Sequence, residues 1–256
     1  LGIELLHVAS LIHDDTIDSA ALRRNKPTVN SQFGPHIAIA FGDYVYTWAL
    51  KLISAVSDSH IFPCFSKRTF ELCEGELIHI LERKNLAMSP TKYFSIVKRK
   101  TAALFALAGE TGALVADSSN PEATKAMREF GLNFGMAYQI IDDLKDLVGT
   151  NADLGKEPGS DFLAKELTLP MIFLLKDPKI GSEVKRLLNA EKEENSFEQF
   201  RQIAIGSDAL KKTKAKAHSF LRQARESLSV FDESPYKKQL LVLLEWLAAK
   251  ILPDKT

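Results

Sequence analysis

The residues best suited to chemistry are three aspartates near the start of the chain, Asp14, Asp15 and Asp18, which follow the almost wholly apolar segment 3–12. On an α-helix, residues three and four apart share a face, so the three carboxylates should crowd within about one turn. Negative charge in a partly desolvated place is costly unless its pKa shifts or it binds cations. The cluster therefore predicts a cation site.

The same pattern returns far along the chain, where Asp142, Asp143 and Asp146 lie within the apolar segment 134–148. For either cluster alone, an acidic turn on a solvent-exposed helix is a serious alternative. Both clusters lie in apolar surroundings, and such surroundings are unusual for solvated charge. Two clusters of this kind favour one cavity between two helices.

Magnesium is the cation that best fits such a cavity. Hard divalent cations take oxygen ligands, and Mg²⁺ usually keeps several waters and bridges one or two carboxylates to a phosphate group. A di-iron helical bundle is the competing metal site, but it requires Glu residues and Glu-x-x-His pairs. Both clusters contain only aspartates, and His7 and His13 do not have that spacing. The sequence therefore predicts a diphosphate site built with Mg²⁺.

Basic and amide side chains near the two clusters are candidates for holding phosphate groups. Taken singly, each basic residue is more often a solvated charge than a ligand. As a set they suit the task, because Arg binds phosphate oxygens in pairs and Lys supplies a point charge. The candidates are Arg23, Arg24, Lys100, Thr101, Gln139, Lys156 and Lys165.

Composition limits what kind of protein this is. The 256 residues are 45% hydrophobic and 26% charged, which predicts one globular domain with a sizeable core. Lys plus Arg and Asp plus Glu both total 33, so no net field favours nucleic acid or an anionic membrane. The apolar segment 240–252 is too short to span a bilayer, and no signal peptide opens the chain. We therefore expect a cytoplasmic protein, with Cys64 and Cys73 as reduced thiols in the core.

Helical periods cover most of the chain, and no segment alternates convincingly with period two. The predicted fold class is all-α, a bundle of long helices. A loop is expected at 149–165, and a charged connection at 190–196. The predicted helices run from the start to about Arg24, from Pro35 to Val56, from Pro63 to about Arg83, from Pro90 to about Asp117, from Pro121 to Val148, and from Thr168 onward to near Leu252.

The chain begins at Leu1 within an apolar helical pattern, with no capping residue before it. We therefore expect one domain over residues 1–256 that lacks helices preceding it in a longer protein.

Six segments carry a resemblance to a known family. In order along nearly the whole chain, SLIHDDTIDSAALRRNKPT, FGDYVY, CEGEL, KTAALFALAGE, FGMAYQIIDDLKDLVG and LGKEPGSDFLAKELTLP closely resemble the all-trans polyprenyl diphosphate synthases. The resemblance implies an isoprenoid-synthase-like helical bundle around a central cavity, and association as a homodimer. It also implies Mg²⁺-dependent, head-to-tail addition of isopentenyl diphosphate to an allylic diphosphate.

The resemblance also implies roles for individual residues. The aspartates with a catalytic role would be Asp14, Asp15, Asp18, Asp142 and Asp143. Those that bind metal would be Asp14, Asp18, Asp142 and Asp146. The allylic diphosphate would be held by Arg23, Lys100, Thr101, Gln139, Lys156 and Lys165, with Lys100 also counted as catalytic. Arg24 matches a position that binds the diphosphate of isopentenyl diphosphate.

Product length depends, in this family, on side chains just before the first Asp motif. Early-stopping members carry bulky aromatic residues at the positions of Ala9 or Ser10, and this chain does not. We expect a long product of the kind used for quinone side chains, with Leu6 or a residue on a facing helix as the final stop. The alternative for Ala9 and Ser10 is that they are small because another helix packs closely there.

Two other functions fit the same helical architecture: a terpene cyclase or head-to-head condensing enzyme, and a non-catalytic partner subunit. The intact second motif DDLKD and the intact Arg and Lys set favour the chain-elongating transferase over both. His79 stands where relatives often have Gln, and it is interpreted as a core or cavity-lining residue without a role.

Overall fold

The computed structural model describes residues 1–149, 158–189 and 195–251. The predicted all-α fold is confirmed, since helices form most of the described chain. In chain order they are α1 Gly2–Ile17, α2 Val29–Phe33, α3 Pro35–Ser54, α4 Ile61–Glu82, α5 Pro90–Val97, a π-helical turn Lys98–Ala102, α6 Ala103–Ala116, α7 Pro121–Val148, α8 Ser160–Ala164, α9 Leu169–Leu175, α10 Gly181–Asn189, α11 Ser196–Ile205, α12 Ala209–Ser227, a 3₁₀ turn Leu228–Val230 and α13 Pro235–Ala248.

Side-chain caps and prolines set the starts of the long helices. Ser89, Asn120 and Ser234 each accept a hydrogen bond from the backbone N–H three residues later, at 2.9–3.1 Å, and each precedes a proline at the first helical position. Such a cap satisfies a donor that the helix itself leaves unpaired, and proline has the φ that a first turn requires. The predicted starts at Pro90 and Pro121 are therefore confirmed.

The first helix ends earlier than the sequence pattern predicts. It stops at Ile17, with Asp18 as its C-cap, and Ser19 adopts a positive φ of 51°. The predicted continuation to about Arg24 is wrong, because the positive φ of Ser19 takes the chain out of the helix and Leu22–Arg23 form a strand instead.

A short β-hairpin with two residues in each strand follows α1, although the sequence predicts no strand. β1 Leu22–Arg23 pairs antiparallel with β2 Lys26–Pro27. Arg24 and Asn25 form the turn with φ of 51° and 61°, and positive φ at both central residues is what a tight right-twisted hairpin requires. The hairpin turns the chain back, so that Arg23 meets Asp15 on α1.

The predicted helix from Pro90 to about Asp117 is divided in the middle. The π-helical turn Lys98–Ala102 separates α5 from α6 and carries Lys100 and Thr101. A π turn widens the backbone by one residue per turn, and such turns are frequent at functional sites. Both α4 and α7 pack against the turn Lys98–Ala102.

The core is organised around α7, which packs against α6 and α12. Glycines permit the close approach of α6 and α7. A Cβ at Gly131 would lie 2.2 Å from the carbonyl oxygen of Phe105, and one at Gly109 would lie 2.2 Å from that of Met127. A second packed region joins α1 to α3, with smaller contributions from α4 and α6.

The two cysteines are free thiols, as predicted, but only Cys64 is partly buried while Cys73 is exposed. The expectation that both fill the core is wrong for Cys73. Within the described part of the chain, no helix combines the length and the apolar character needed to cross a membrane.

Candidate active site

A cavity of about 500 Å³ brings one end of the first Asp cluster together with several of the predicted phosphate-binding residues. Asp14 and Ser10 of α1 form one wall, and the π-helical turn and α7 form others. Apolar side chains of α4 and α6 complete the lining. The predicted site residues on its surface are Ser10, Asp14, Arg23, Arg24, Lys100, Thr101 and Gln139.

A smaller cavity of about 130 Å³ adjoins the first, because Lys100, Thr101 and Gln139 line both. Its other polar lining residues include Asp143 and Glu166. The three shared residues therefore lie between the larger cavity, which Asp14 of the first motif lines, and the smaller cavity, which the buried Asp143 of the second motif lines.

The three aspartates of the first motif have different surroundings, so they do not form one acidic face. Asp15 is buried and accepts hydrogen bonds from Arg23 Nε to Oδ1 at 2.8 Å and to Oδ2 at 3.0 Å. Asp18, at the end of α1, is ion-paired with Arg83. Asp14 lines the larger cavity, and burial raises the pKa of its carboxyl to about 6 even though the Lys100 charge lowers it.

In the second motif, Asp143 and Asp146 are also held by protein groups. Asp143 is buried and accepts hydrogen bonds from the Tyr93 hydroxyl and from Gln139 Nε2, the latter at 2.9 Å. Burial raises the pKa of Asp143 to about 7. Asp142 is exposed on α7.

Asp146 holds the start of α8 against α7. Its Oδ1 accepts a hydrogen bond from Ser160 Oγ at 2.7 Å, and its Oδ2 accepts one from the backbone N–H of Asp161 at 3.0 Å. Both carboxylate oxygens thus accept hydrogen bonds, and the metal-binding role of Asp146 stays a prediction.

The side chain of Lys100 is held by α4. Its Nζ lies 2.7 Å from Glu76 Oε2 and 2.9 Å from His79 Nδ1. Next to it, Thr101 Oγ1 donates to Gln139 Oε1 at 2.9 Å. Lys100, Thr101 and Gln139 thus meet at one place, as the sequence predicts.

Among the predicted phosphate-binding residues that the structure describes, Lys165 does not lie at this site. Lys165 ends α8 with a φ of 55°, and it lines neither cavity. The interpretation of Lys156 as a diphosphate ligand lies outside the described residues.

Comparison with known proteins assigns the chain. A sequence model of the polyprenyl synthetase family matches residues 1–204. The chain belongs to the polyprenyl synthetase family. It is a prenyltransferase, and its relatives support the long-chain trans-prenyl diphosphate synthase type.

Two curated relatives and one solved structure illustrate the match. Component 2 of heptaprenyl diphosphate synthase from Bacillus subtilis is 32% identical over 248 residues, which cover 97% of this chain and 71% of that protein. Octaprenyl diphosphate synthase from Haemophilus influenzae is 27% identical, with coverage of 94% and 74%. The crystal structure of heptaprenyl diphosphate synthase from Staphylococcus aureus superimposes with a TM-score of 0.89 at 31% identity, with coverage of 97% and 78%.

Within this polyprenyl synthetase fold, only one of the three expected product-length residues lines the described cavity. Ser10 does so. Ala9 belongs to a buried cluster with Ala38 and Val45 of α3, and Leu6 to another with Ala49 of α3 and Phe65 of α4. The small size of Ala9 is thus explained by close packing against another helix, which was the alternative to an open path for a long product.

Sequence reasoning missed the residues that surround Lys100. Glu76 and His79 lie three residues apart on α4, Arg83 follows the end of that helix, and Glu166 reaches His79 and Arg83 from the segment before α9. The helical spacing of Glu76 and His79 was a signal for a shared face. Glu166, however, is distant in sequence, so the interpretation of His79 as a residue without a role overlooked its contact with Glu166 at 3.5 Å.

Proposed function

We propose that this chain is a trans-polyprenyl diphosphate synthase, which joins isopentenyl diphosphate head-to-tail to an allylic diphosphate. The observation that carries the proposal is the larger cavity, where Asp14, Lys100 and Gln139 meet an apolar wall. An anionic head group and a hydrocarbon tail would each find suitable surroundings there.

The carboxylates fit Mg²⁺ as the metal. Among the described residues, no three Asp, Glu, His or Cys side chains form a complete protein cage. Mg²⁺ is commonly held by one or two carboxylates together with phosphate oxygens and water, so aspartates contributed by separate helices suit it. Asp14, Asp18 and Asp142 would hold the ion. When bound, it would supply Lewis-acid stabilisation of the charge on the leaving diphosphate.

The basic residues would bind the two diphosphates. Lys100 and Arg23 would hold the allylic diphosphate, and Arg24 would hold that of isopentenyl diphosphate. The hydrogen bonds from Thr101 to Gln139 and from Gln139 to Asp143 fix the Gln139 amide before substrate arrives. Groups that are ordered in advance stabilise developing charge without having to reorganise during the reaction.

The apolar wall would protect the reactive carbon from water. Leu11, Leu72, Leu104 and Phe105 line the cavity beyond the polar groups. An allylic carbocation reacts with water, so a dry, apolar chamber favours attack by the double bond of the second substrate.

A long product and association with a second subunit complete the proposal. Of the curated relatives, one is named a heptaprenyl and another an octaprenyl diphosphate synthase, which supports a long all-trans chain here. A homodimer is our first expectation. The Bacillus subtilis relative is named component 2, and this favours testing a heteromer as well.

Incubation of the purified protein with a radiolabelled allylic diphosphate, isopentenyl diphosphate and Mg²⁺ tests the function. We expect linear products that grow by five-carbon units, identified after removal of the diphosphate. A cyclic or head-to-head hydrocarbon would instead identify the alternative enzyme class. Turnover only after addition of a second subunit would identify a partner component, and omission of isopentenyl diphosphate is the control.

A further inference from the structure

A row of charged side chains links Lys100 to the end of the first Asp motif. Lys100 Nζ contacts Glu76 Oε2 at 2.7 Å and His79 Nδ1 at 2.9 Å. On the other side of the imidazole, His79 Nε2 lies 3.5 Å from Glu166 Oε2. Glu166 Oε1 lies 3.1 Å from Nε of Arg83, which is ion-paired with Asp18.

Glu76 has two cations within reach. The Lys100 ammonium is the nearer, and His79 Nδ1 lies 3.8 Å from Glu76 Oε1. The side chain of Glu76 is only 14% exposed, so its carboxylate cannot rely on water if one partner leaves. Removing the partner of a buried carboxylate leaves an uncompensated charge, which is strongly unfavourable.

His79 can take up the charge needed to act as the second partner. Burial lowers the pKa of His79, but its hydrogen bonds to Glu166 and Glu76 outweigh both burial and the Lys100 charge and raise that pKa to about 9. At 2.9 Å the contact between Lys100 Nζ and His79 Nδ1 is a hydrogen bond, which the ammonium donates and Nδ1 accepts. When the Lys100 ammonium leaves, Nδ1 is free to take up a proton, and the imidazolium is then the cation that faces Glu76, with Nδ1 3.8 Å from Glu76 Oε1.

We propose that His79 is a positioning residue that keeps Glu76 paired when the Lys100 ammonium turns from Glu76 to a substrate diphosphate. Glu166 holds the imidazole in place from the other side. This role rests on the proposed function, because it takes Lys100 as a diphosphate ligand. In this role His79 acts on Glu76 and makes no contact with the substrate.

The substitution His79→Gln tests the role, since Gln keeps a polar side chain of similar reach without the charge. With Glu76 then dependent on Lys100, we expect the affinity for inorganic diphosphate in the presence of Mg²⁺ to fall about tenfold, as measured by titration calorimetry. The KM for the allylic diphosphate should rise similarly, while kcat changes less. His60→Gln, at an exposed histidine paired with Asp58, is the matched control.

The double variant His79→Gln, Glu76→Gln separates positioning from mere support of the fold. Without the Glu76 charge, Lys100 is free to turn to the diphosphate, so affinity should return to near the wild-type value. If His79 were only structural, removing a second polar contact would not restore binding.

The pH dependence of the wild-type KM gives a readout that needs no substitution. We expect this KM to rise as the pH passes through about 9, where the imidazolium loses its proton. His79→Gln should lack that step. The other charged or titratable groups near His79 are Glu76 on α4, Arg83 just after that helix, Lys100 on the π-helical turn, Glu166, Tyr93, Asp143 and Asp161 around the smaller cavity, and Asp14 beyond Lys100.

The outcomes distinguish the role of His79 from the function. An active wild-type enzyme with unchanged diphosphate affinity in His79→Gln would overturn the positioning role and leave the function standing. A wild-type protein that neither binds diphosphate nor transfers prenyl groups would overturn both.

Discussion

The six aspartates of the two motifs divide by what the protein already does with them. Asp15, Asp143 and Asp146 accept hydrogen bonds from Arg23, from Tyr93 and Gln139, and from Ser160 and Asp161, respectively. Asp18 is ion-paired with Arg83. Asp14 lines the larger cavity and Asp142 is exposed. The members of each motif therefore have different surroundings.

Asp14→Ala and Asp142→Ala should lower turnover by about a hundredfold or more, because each removes charge that we propose binds the metal. Neither should unfold the protein, since burial already disfavours the ionised form of Asp14. Asp146→Ala is the contrasting variant. It leaves the donors of Ser160 and Asp161 without their carboxylate partner, and it should cost about 1–3 kcal/mol of unfolding free energy.

Steady-state kinetics and urea denaturation of the three variants check this division. Near-normal turnover of Asp14→Ala or Asp142→Ala at saturating Mg²⁺ would remove them from the proposed metal site.

The two thiols should differ in reactivity. Burial and the neighbouring Glu110 raise the pKa of Cys64 from 9.0 to about 12, so very little thiolate is present near pH 8. Cys73 is exposed, and its pKa is raised less. The thiolate is the nucleophile, and its greater intrinsic reactivity at high pKa compensates only in part. Iodoacetamide should therefore modify Cys73 at least about tenfold faster than Cys64.

Peptide mass spectrometry over a time course measures the two alkylation rates. In guanidinium the rates should become similar, because unfolding removes the burial of Cys64. Equal rates in the folded protein would contradict the prediction.

The sequence predicted site residues correctly where those residues lie in recognisable motifs. Lys100, Thr101 and Gln139 were predicted near one site and do meet. Glu166 was not predicted, because its contact with His79 joins two distant segments through the packing of the bundle. Periodicity describes one helix at a time and carries no information on such pairings.

At the scale of elements, the long helices were predictable and the irregular parts were not. The prolines and caps before α5 and α7 are local signals, and the structure has those starts. The hairpin after α1 depends on positive φ at Arg24 and Asn25, and the π-helical turn Lys98–Ala102 interrupts a continuous helical pattern. Both irregular elements carry site residues, which is where local rules are most often broken.

The approach of α6 to α7 should depend on Gly131. A Cβ there would come within 2.2 Å of the Phe105 carbonyl oxygen, and backbone cannot move aside cheaply. Gly131→Ala should therefore destabilise the protein by about 1–3 kcal/mol. Gly112→Ala on α6 is the matched control, because a Cβ at Gly112 meets nothing within 4 Å. It should stabilise by about 0.5–1 kcal/mol through better helix propensity.

Urea denaturation of both glycine variants gives the two free energies of unfolding. A Gly131→Ala variant as stable as the wild type would show that the two helices can separate at little cost.

At the scale of the whole molecule, the larger cavity runs along one face of α1. Asp14 lies near the Lys100 end, and Ser10, His7 and Ile3 follow along the same wall of α1. Their spacing of four, three and four residues puts them on one helical face, each turn rising roughly 5.4 Å. A growing prenyl chain would pass these side chains in turn.

The same geometry decides which position before the Asp motif should limit product length. Ala9 is five residues from Asp14, which turns its side chain about 140° away from the cavity face. It lies instead against Ala38 and Val45 of α3. Helical geometry alone shows that Ala9 and Asp14 lie on different faces of α1. The sequence does not show which of these faces meets the cavity.

Ser10→Phe should therefore shorten the product by closing the path one turn from Asp14, and the first condensation should survive. Ala9→Phe is the matched variant: the same ring placed in the packed interface with α3 should cost about 1–3 kcal/mol of stability and change product length less. Chromatography of the dephosphorylated products gives the lengths, and thermal unfolding gives the stabilities. A wild-type product of only three isoprene units would refute the open path past Ser10, as would a shorter product from Ala9→Phe alone. Because the two positions are adjacent in sequence, only the face on which each lies can explain opposite results.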